Sequence, residues 1–172
     1  MSRSAPTWDI FCRVVDHFGD AGVCWRLARQ LADEHGARVR LWIDDVESLR
    51  RLNPAVEQAD RQLADGVQVW TWREPLSGAT PADIVVEAFG CGLPEEYVSA
   101  MAAAAPRPLW IVLEYLSAEP WVTKHHALPS PHPRLPLERY FFFPGFVAGT
   151  GGEPRQANAR PRPQVGRGRP PR

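Results

Sequence analysis

Trp8-Asp9-Ile10-Phe11-Cys12-Arg13-Val14-Val15, then Asp16-His17-Phe18-Gly19-Asp20-Ala21-Gly22, then Val23-Cys24-Trp25-Arg26-Leu27-Ala28-Arg29-Gln30-Leu31-Ala32 run without a break, and their reading decides the fold. The first part is rich in β-branched and aromatic residues and predicts a strand. The last part spaces Val23, Leu27 and Leu31 four apart, with Cys24 and Ala28 beside them, and predicts an amphipathic helix closed by Gly36. Between them lie two carboxylates and two glycines, where an open α/β sheet presents its ligand crevice.

The glycine spacing is Gly19-x-x-Gly22, without a Gly-x-Gly-x-x-Gly or a Gly-Lys-Ser/Thr, so the loop carries neither a dinucleotide fingerprint nor a Walker signature. What remains is a loop whose backbone can come close to a ligand, facing a helix N-terminus. Asp20 stands where an N-cap belongs, and Asp16 suits ordinary turn chemistry. A pair of site carboxylates is the other reading, and residue chemistry alone leaves both open.

The 172 residues, 44% of them apolar, suffice for one domain with a proper core. No apolar run reaches the ~20 residues of a membrane span, and no secretory leader is legible, so the expected partners exclude a membrane and the expected compartment is the cytoplasm. Cys12, Cys24 and Cys91 lack metal or redox spacing and read as reduced thiols in or near a core; no metal site is expected. Residues 149–172 carry six arginines and one glutamate, whereas residues 1–148 carry 14 basic and 19 acidic residues. The part able to fold is mildly acidic, which argues against a nucleic-acid surface.

Further strands are predicted at residues 37–43, 66–72, 83–89, 108–113 and 139–146, with helices at 46–52 and 95–104 and a polar linker at 73–81. Asp44 or Asp45 is expected to cap the helix that follows. Strands alternating with helices give right-handed βαβ units, so the fold class is α/β, a Rossmann-like parallel sheet sandwich. Glu114, just past the fifth strand, is a further candidate carboxylate. His125, His126 and His132 share one proline-rich loop without a recognised zinc spacing. The run Phe141 to Phe146 must pack either on this sheet or on something outside it.

Several strings occur together in one order: the 8–31 stretch quoted above, Leu41-Trp42-Ile43-Asp44-Asp45, Glu87-Ala88-Phe89-Gly90-Cys91, Trp110 with Leu113-Glu114-Tyr115-Leu116-Ser117-Ala118-Glu119, and Tyr140-Phe141-Phe142-Phe143-Pro144-Gly145-Phe146. In these the chain resembles the bacterial elongation factor P arginine rhamnosyltransferases over residues 8 to 152. The resemblance implies the N-terminal half of a two-domain glycosyltransferase B (GT-B) fold. It also implies an inverting transfer of rhamnose from dTDP-β-L-rhamnose to one arginine of elongation factor P, with no other cofactor. On the matching positions it implies that Asp20 acts as base and Asp16 orients or supports it. Donor contacts would come from His17, Phe18, Gly19 and Asp20; the family usually has Asn where His17 stands.

The expected organisation is an acceptor-side domain over residues 1–148 followed by residues 149–172, whose Pro, Gly and Arg content cannot build a core. That tail reads as the product of a truncation or frameshift, so this chain alone is expected to transfer little or nothing. A non-catalytic Rossmann-like module that binds a protein is the alternative reading.

Overall fold

A computed structural model of the chain describes residues 5–16, 18–73, 76 and 78–152. Its elements, in chain order, are β1 (Thr7–Cys12), α1 (Gly19–His35), β2 (Arg38–Ile43), α2 (Val46–Leu52), β3 (Arg61–Ala64), β4 (Val67–Thr71), β5 (Ile84–Ala88), α3 (Glu95–Ala103), β6 (Leu109–Leu113), α4 (Val122–His125), β7 (Pro129–Pro131) and β8 (Glu138–Phe142). Local chemistry sets the ends of the longer helices. Gly36 takes the left-handed conformation (φ 60°) and its N–H closes on Leu31 O, which ends α1. Asp45 starts α2 by accepting from Ser48 N at 3.2 Å. Asp44 instead accepts from Val14 N at 2.8 Å and ties the end of β2 to the loop after β1.

The described strands form one eight-stranded sheet in the order β3-β4-β2-β1-β5-β6-β8-β7. The six inner strands are parallel. Counting only those, the spatial order is third, second, first, fourth, fifth, sixth, so the direction of winding reverses between β1 and β5. Loops leaving the carboxyl ends of these two strands diverge to opposite faces and open a crevice between them. Side-chain alternation divides the core accordingly. Ile10 and Cys12 of β1 pack with Cys24 and Ala28 of α1 on one face, and Phe11 packs with Tyr97, Val98 and Met101 of α3 on the other. The result is a three-layer sandwich.

Three differences from the sequence reading have physical causes. The sheet is mixed rather than wholly parallel: β3 pairs antiparallel with β4, and β7 antiparallel with β8. Both are short edge strands, and the Pro-Ser-Pro of β7 carries too little apolar pattern to be read as a strand. The buried face of α1 is also turned from the one predicted. Asp20, Ala21, Cys24, Trp25 and Ala28 are the buried positions, and the small Ala21, Cys24 and Ala28 let the helix approach the sheet. Val23, Leu27 and Leu31 are only partly buried and line an apolar groove of about 260 Å³ beside Trp8, Ile111 and Phe142. Finally, the 139–146 run divides. Phe142 packs toward α1 and Phe143 meets Trp121 edge-on at 5.5 Å, but Phe146 is exposed.

Beneath the sheet a charged node joins four segments. Asp9, fully buried on β1, accepts from Arg40 Nε at 2.5 Å, Arg40 Nη2 at 2.6 Å, Trp42 Nε1 at 3.1 Å, Ala82 N at 3.1 Å and the Tyr97 hydroxyl. The three cysteines are free and buried. Burial raises the Cys91 thiol to about 12, which makes it unreactive at neutral pH. Among the described residues no helix is long and apolar enough to cross a membrane.

Candidate active site

At the carboxyl ends of β1 and β6 a cleft of about 410 Å³ is lined by Asp16, Gly19, Asp20, Phe89, Glu114 and Tyr115, with Arg26 on its wall. Three of the carboxylates singled out from sequence therefore meet in one place. Their environments differ. Asp16 is exposed at the loop tip. Asp20 is only 1% exposed and forms the floor. Glu114 is half-buried, and burial first and the Glu87 carboxylate second push its acid above the ordinary glutamate range.

Asp20 is not the helix cap. Phe18 holds that position without a side-chain bond, because α1 begins earlier than the apolar pattern indicates. From the first turn the Asp20 carboxylate reaches back: Oδ2 accepts from Val15 N and Asp16 N, each at 2.9 Å. Its Oδ1 accepts from the Tyr115 hydroxyl at 3.1 Å. The loop is thus wrapped around a fixed negative charge that the helix N-terminus also favours. A carboxylate offers about four acceptor positions. Three are used, so Oδ1, on the tyrosine side, is the oxygen able to take one more donor.

Of the two loop glycines, Gly19 is the one tightly packed. A Cβ on Gly19 would lie 2.5 Å from Asp16 Oδ2, so the bare Cα is what lets Asp16 fold down beside it. Gly22 faces Leu52 of α2, at 3.7 Å from an added Cβ. Gly19→Ala is expected to cost less than about 1 kcal/mol in stability, since the Asp16 carboxylate can swing away, yet to reduce any activity as strongly as Asp16→Asn does. Denaturant titration beside an activity assay of the two variants checks this. Phe18 is exposed and does not line the cleft, and His17 lies outside the described residues.

Sequence reading missed two site residues, Tyr115 and Phe89. Their rings stack at 4.3 Å and 16°. Phe89 holds φ at +56°, uncommon for a bulky residue and costing on the order of 1–3 kcal/mol, so its packing against Tyr115 must fix it there. No pattern in the sequence announces a left-handed phenylalanine; position just past a strand end was the available signal. Burial, then the hydrogen bond to Asp20, raises the Tyr115 phenol to about 12. Because the folded value lies above the unfolded value of about 10, the contribution of Tyr115 to stability is complete below pH ~10 and is lost as pH climbs through 12. Tyr115→Phe is expected to remove that part of the alkaline loss in denaturation midpoints compared between pH 9 and 12.

The three histidines of the proline-rich loop each engage a backbone group through Nδ1. His125 Nδ1 contacts Trp121 O at 2.8 Å, His126 Nδ1 accepts from Phe143 N at 3.1 Å, and His132 Nδ1 accepts from Leu135 N at 3.1 Å. Each ring satisfies a backbone group in a proline-rich segment that has few partners of its own.

With this geometry in place, similarity to known proteins is informative. The family model for the elongation factor P (EF-P) rhamnosyltransferase EarP matches residues 8–164. The protein-arginine rhamnosyltransferase of Pseudomonas putida is 52% identical over 153 residues, and that of Pseudomonas aeruginosa 51% over 152, each match covering 88% of this chain and 40% of the relative. The one from Neisseria meningitidis serogroup B is 42% identical over 146 residues, which is 83% of this chain and 37% of the relative. The chain spans about 40% of the length of these curated relatives.

Proposed function

This chain belongs to the elongation factor P rhamnosyltransferase family, and from that premise we propose that residues 1–148 are the acceptor-side domain of an inverting transferase of GT-B architecture. It moves rhamnose from dTDP-β-L-rhamnose to one arginine of elongation factor P, in the cytoplasm, where that factor works. The observation that carries this reading is the meeting of Asp16, Asp20 and Glu114 at one cleft beside the reversal of the sheet. Three carboxylates against one arginine make a site for a cation.

The acceptor group is a guanidinium, protonated with a pKa above ~12. Its nitrogen becomes a nucleophile only when a proton is drawn off as the new bond forms. Asp20 takes that proton at Oδ1, while its Oδ2 stays pinned by two amides and the carboxylate cannot rotate away. Asp16, at the mouth, pairs with a second guanidinium nitrogen and holds the plane of the group. In a single displacement the nitrogen bonds to C1 of the sugar, the C1–oxygen bond breaks, dTDP leaves with the electron pair, and configuration inverts. Gly19 and Asp20, which line the cleft, also bound the donor sugar on its acceptor side. The chain spans about 40% of the length of its curated relatives, so transfer is tested with the remaining length supplied.

The test joins this domain to the remaining length of a relative and incubates it with elongation factor P and dTDP-β-L-rhamnose. Mass spectrometry should find one deoxyhexose on one arginine, and NMR of the product should find an α-linkage. A β-linked product, or no product, contradicts the reading.

A further inference from the structure

On the α3 side of the sheet, a cavity of about 500 Å³ opens between α3, β5 and the loop around His132. Glu87, Trp110, His132, Arg134 and Arg139 line it. Glu87 is 6% exposed, and both its oxygens are engaged, Oε1 by Gly92 N at 3.0 Å and Oε2 by Trp110 Nε1 at 3.1 Å. It is a finished, fixed anion in the wall. Arg139 is the opposite case. Among the described residues its guanidinium has no ion pair, and its buried Nε has no hydrogen-bond partner. What surrounds it is aromatic, with Trp110 at 5.5 Å and Phe141 at 6.0 Å from Cζ.

A planar cation flanked by ring faces and lacking a counter-ion presents its donors in the fork that matches a carboxylate. Two neighbours point to the same ligand. His132 Nδ1 accepts from Leu135 N, so Nε2 is the nitrogen left to donate. Arg134 supplies a second cation; its contact with Glu95 is 4.0 Å long between side chains 81% and 96% exposed, too loose to occupy it. Phosphate fits less well, because a dianion would face both Glu87 and Glu95. The first turn of α3 is already filled by Glu95 and Glu96.

The cavity also lies next to the cleft. The loop Phe89–Leu93 divides the two, with Phe89 on the Asp20 side and Gly92 and Leu93 on the Arg139 side. We infer that this cavity docks a carboxylate side chain of the protein acceptor, with Arg139 as its principal partner, while the acceptor arginine enters the cleft across the loop. The inference rests on the reading that the acceptor is a protein, but it is tested by binding and not by transfer.

The 172-residue chain is titrated with a capped peptide of alternating aspartate and glycine, with its asparagine counterpart, and with inorganic phosphate, and the Trp110 indole N–H is followed by NMR. The aspartate peptide should shift that resonance saturably, the asparagine peptide should not, and phosphate should bind at least tenfold more weakly. Arg139→Gln should weaken the peptide at least tenfold and Arg139→Lys by an intermediate factor. Exposed Arg134→Gln, which leaves the core untouched, should weaken it about threefold. Equal binding by phosphate, an unmoved indole, or unchanged affinity in both the Arg139→Lys and Arg134→Gln proteins overturns the assignment. Absence of rhamnose transfer by the joined transferase, with peptide binding intact, would count against the catalytic reading alone.

Discussion

Asp9→Ala is expected to remove about 3–5 kcal/mol of stability, the cost of deleting one partner from a buried ion pair. The carboxylate takes five hydrogen bonds at zero exposure, from the Arg40 guanidinium, the Trp42 indole, the Tyr97 hydroxyl and the Ala82 amide. Taking it away strands a cation whose side chain is only 20% exposed, together with three buried donors. Set against a typical domain stability of about 5–15 kcal/mol, that is a large fraction. Urea unfolding followed by tryptophan fluorescence measures it, as a midpoint lowered by about 2 M at a usual slope. Asp9→Ala combined with Arg40→Met should recover part of the loss, since no unpaired cation is then left in the site. A loss below about 1 kcal/mol in the single variant would mean that the node contributes little.

The sequence carried no sign of this node. Asp9 sits in a strand among apolar residues, and an isolated carboxylate there reads as an outward-facing position. Only the parallel register that sets Asp9 beside Arg40 turns it into a buried pair. The central strands β5 and β6 were legible as nearly continuous apolar runs, the pattern of parallel strands covered on both faces, and β2 by its period-two alternation. Edge strands are under no such demand. Arg61-Gln62-Leu63-Ala64 and Pro129-Ser130-Pro131 pair on one side only, so neither carries a pattern strong enough to be read.

At the site, legibility followed the same division between local and long-range information. Asp16 and Asp20 stood out because they lie four residues apart in a loop between strand and helix. Glu114 stood out because it follows a strand end. Tyr115 reaches Asp20 across 95 residues of sequence, and the contact comes from the sheet order rather than from any local pattern. The neighbours of the loop glycines, Asp16 and Leu52, are likewise visible only once α1 is docked. Asp20 was expected at an open cleft, whereas it forms the floor with one acceptor position left on Oδ1. On the proposed function, this geometry leaves the residue a narrower task, receiving a single proton from a donor that arrives past Tyr115.

The second large effect falls on that oxygen. Asn in place of Asp20 has nearly the same shape and keeps a carbonyl able to accept from Val15 N and Asp16 N, so the loop should retain its form. It lacks the charge and basicity needed to draw a proton from a guanidinium, and general-base losses run to about 10²–10⁴ in rate. Asp16→Asn, which loosens orientation and leaves the base in place, should cost less, about tenfold. The decisive measurement is the single-turnover rate of rhamnose transfer to elongation factor P by the joined transferase, wild type against Asp20→Asn, with equal thermal midpoints as the control for folding. A fall of about a thousandfold at unchanged acceptor affinity is predicted; a rate within tenfold of wild type would contradict the assignment of Asp20 as the base.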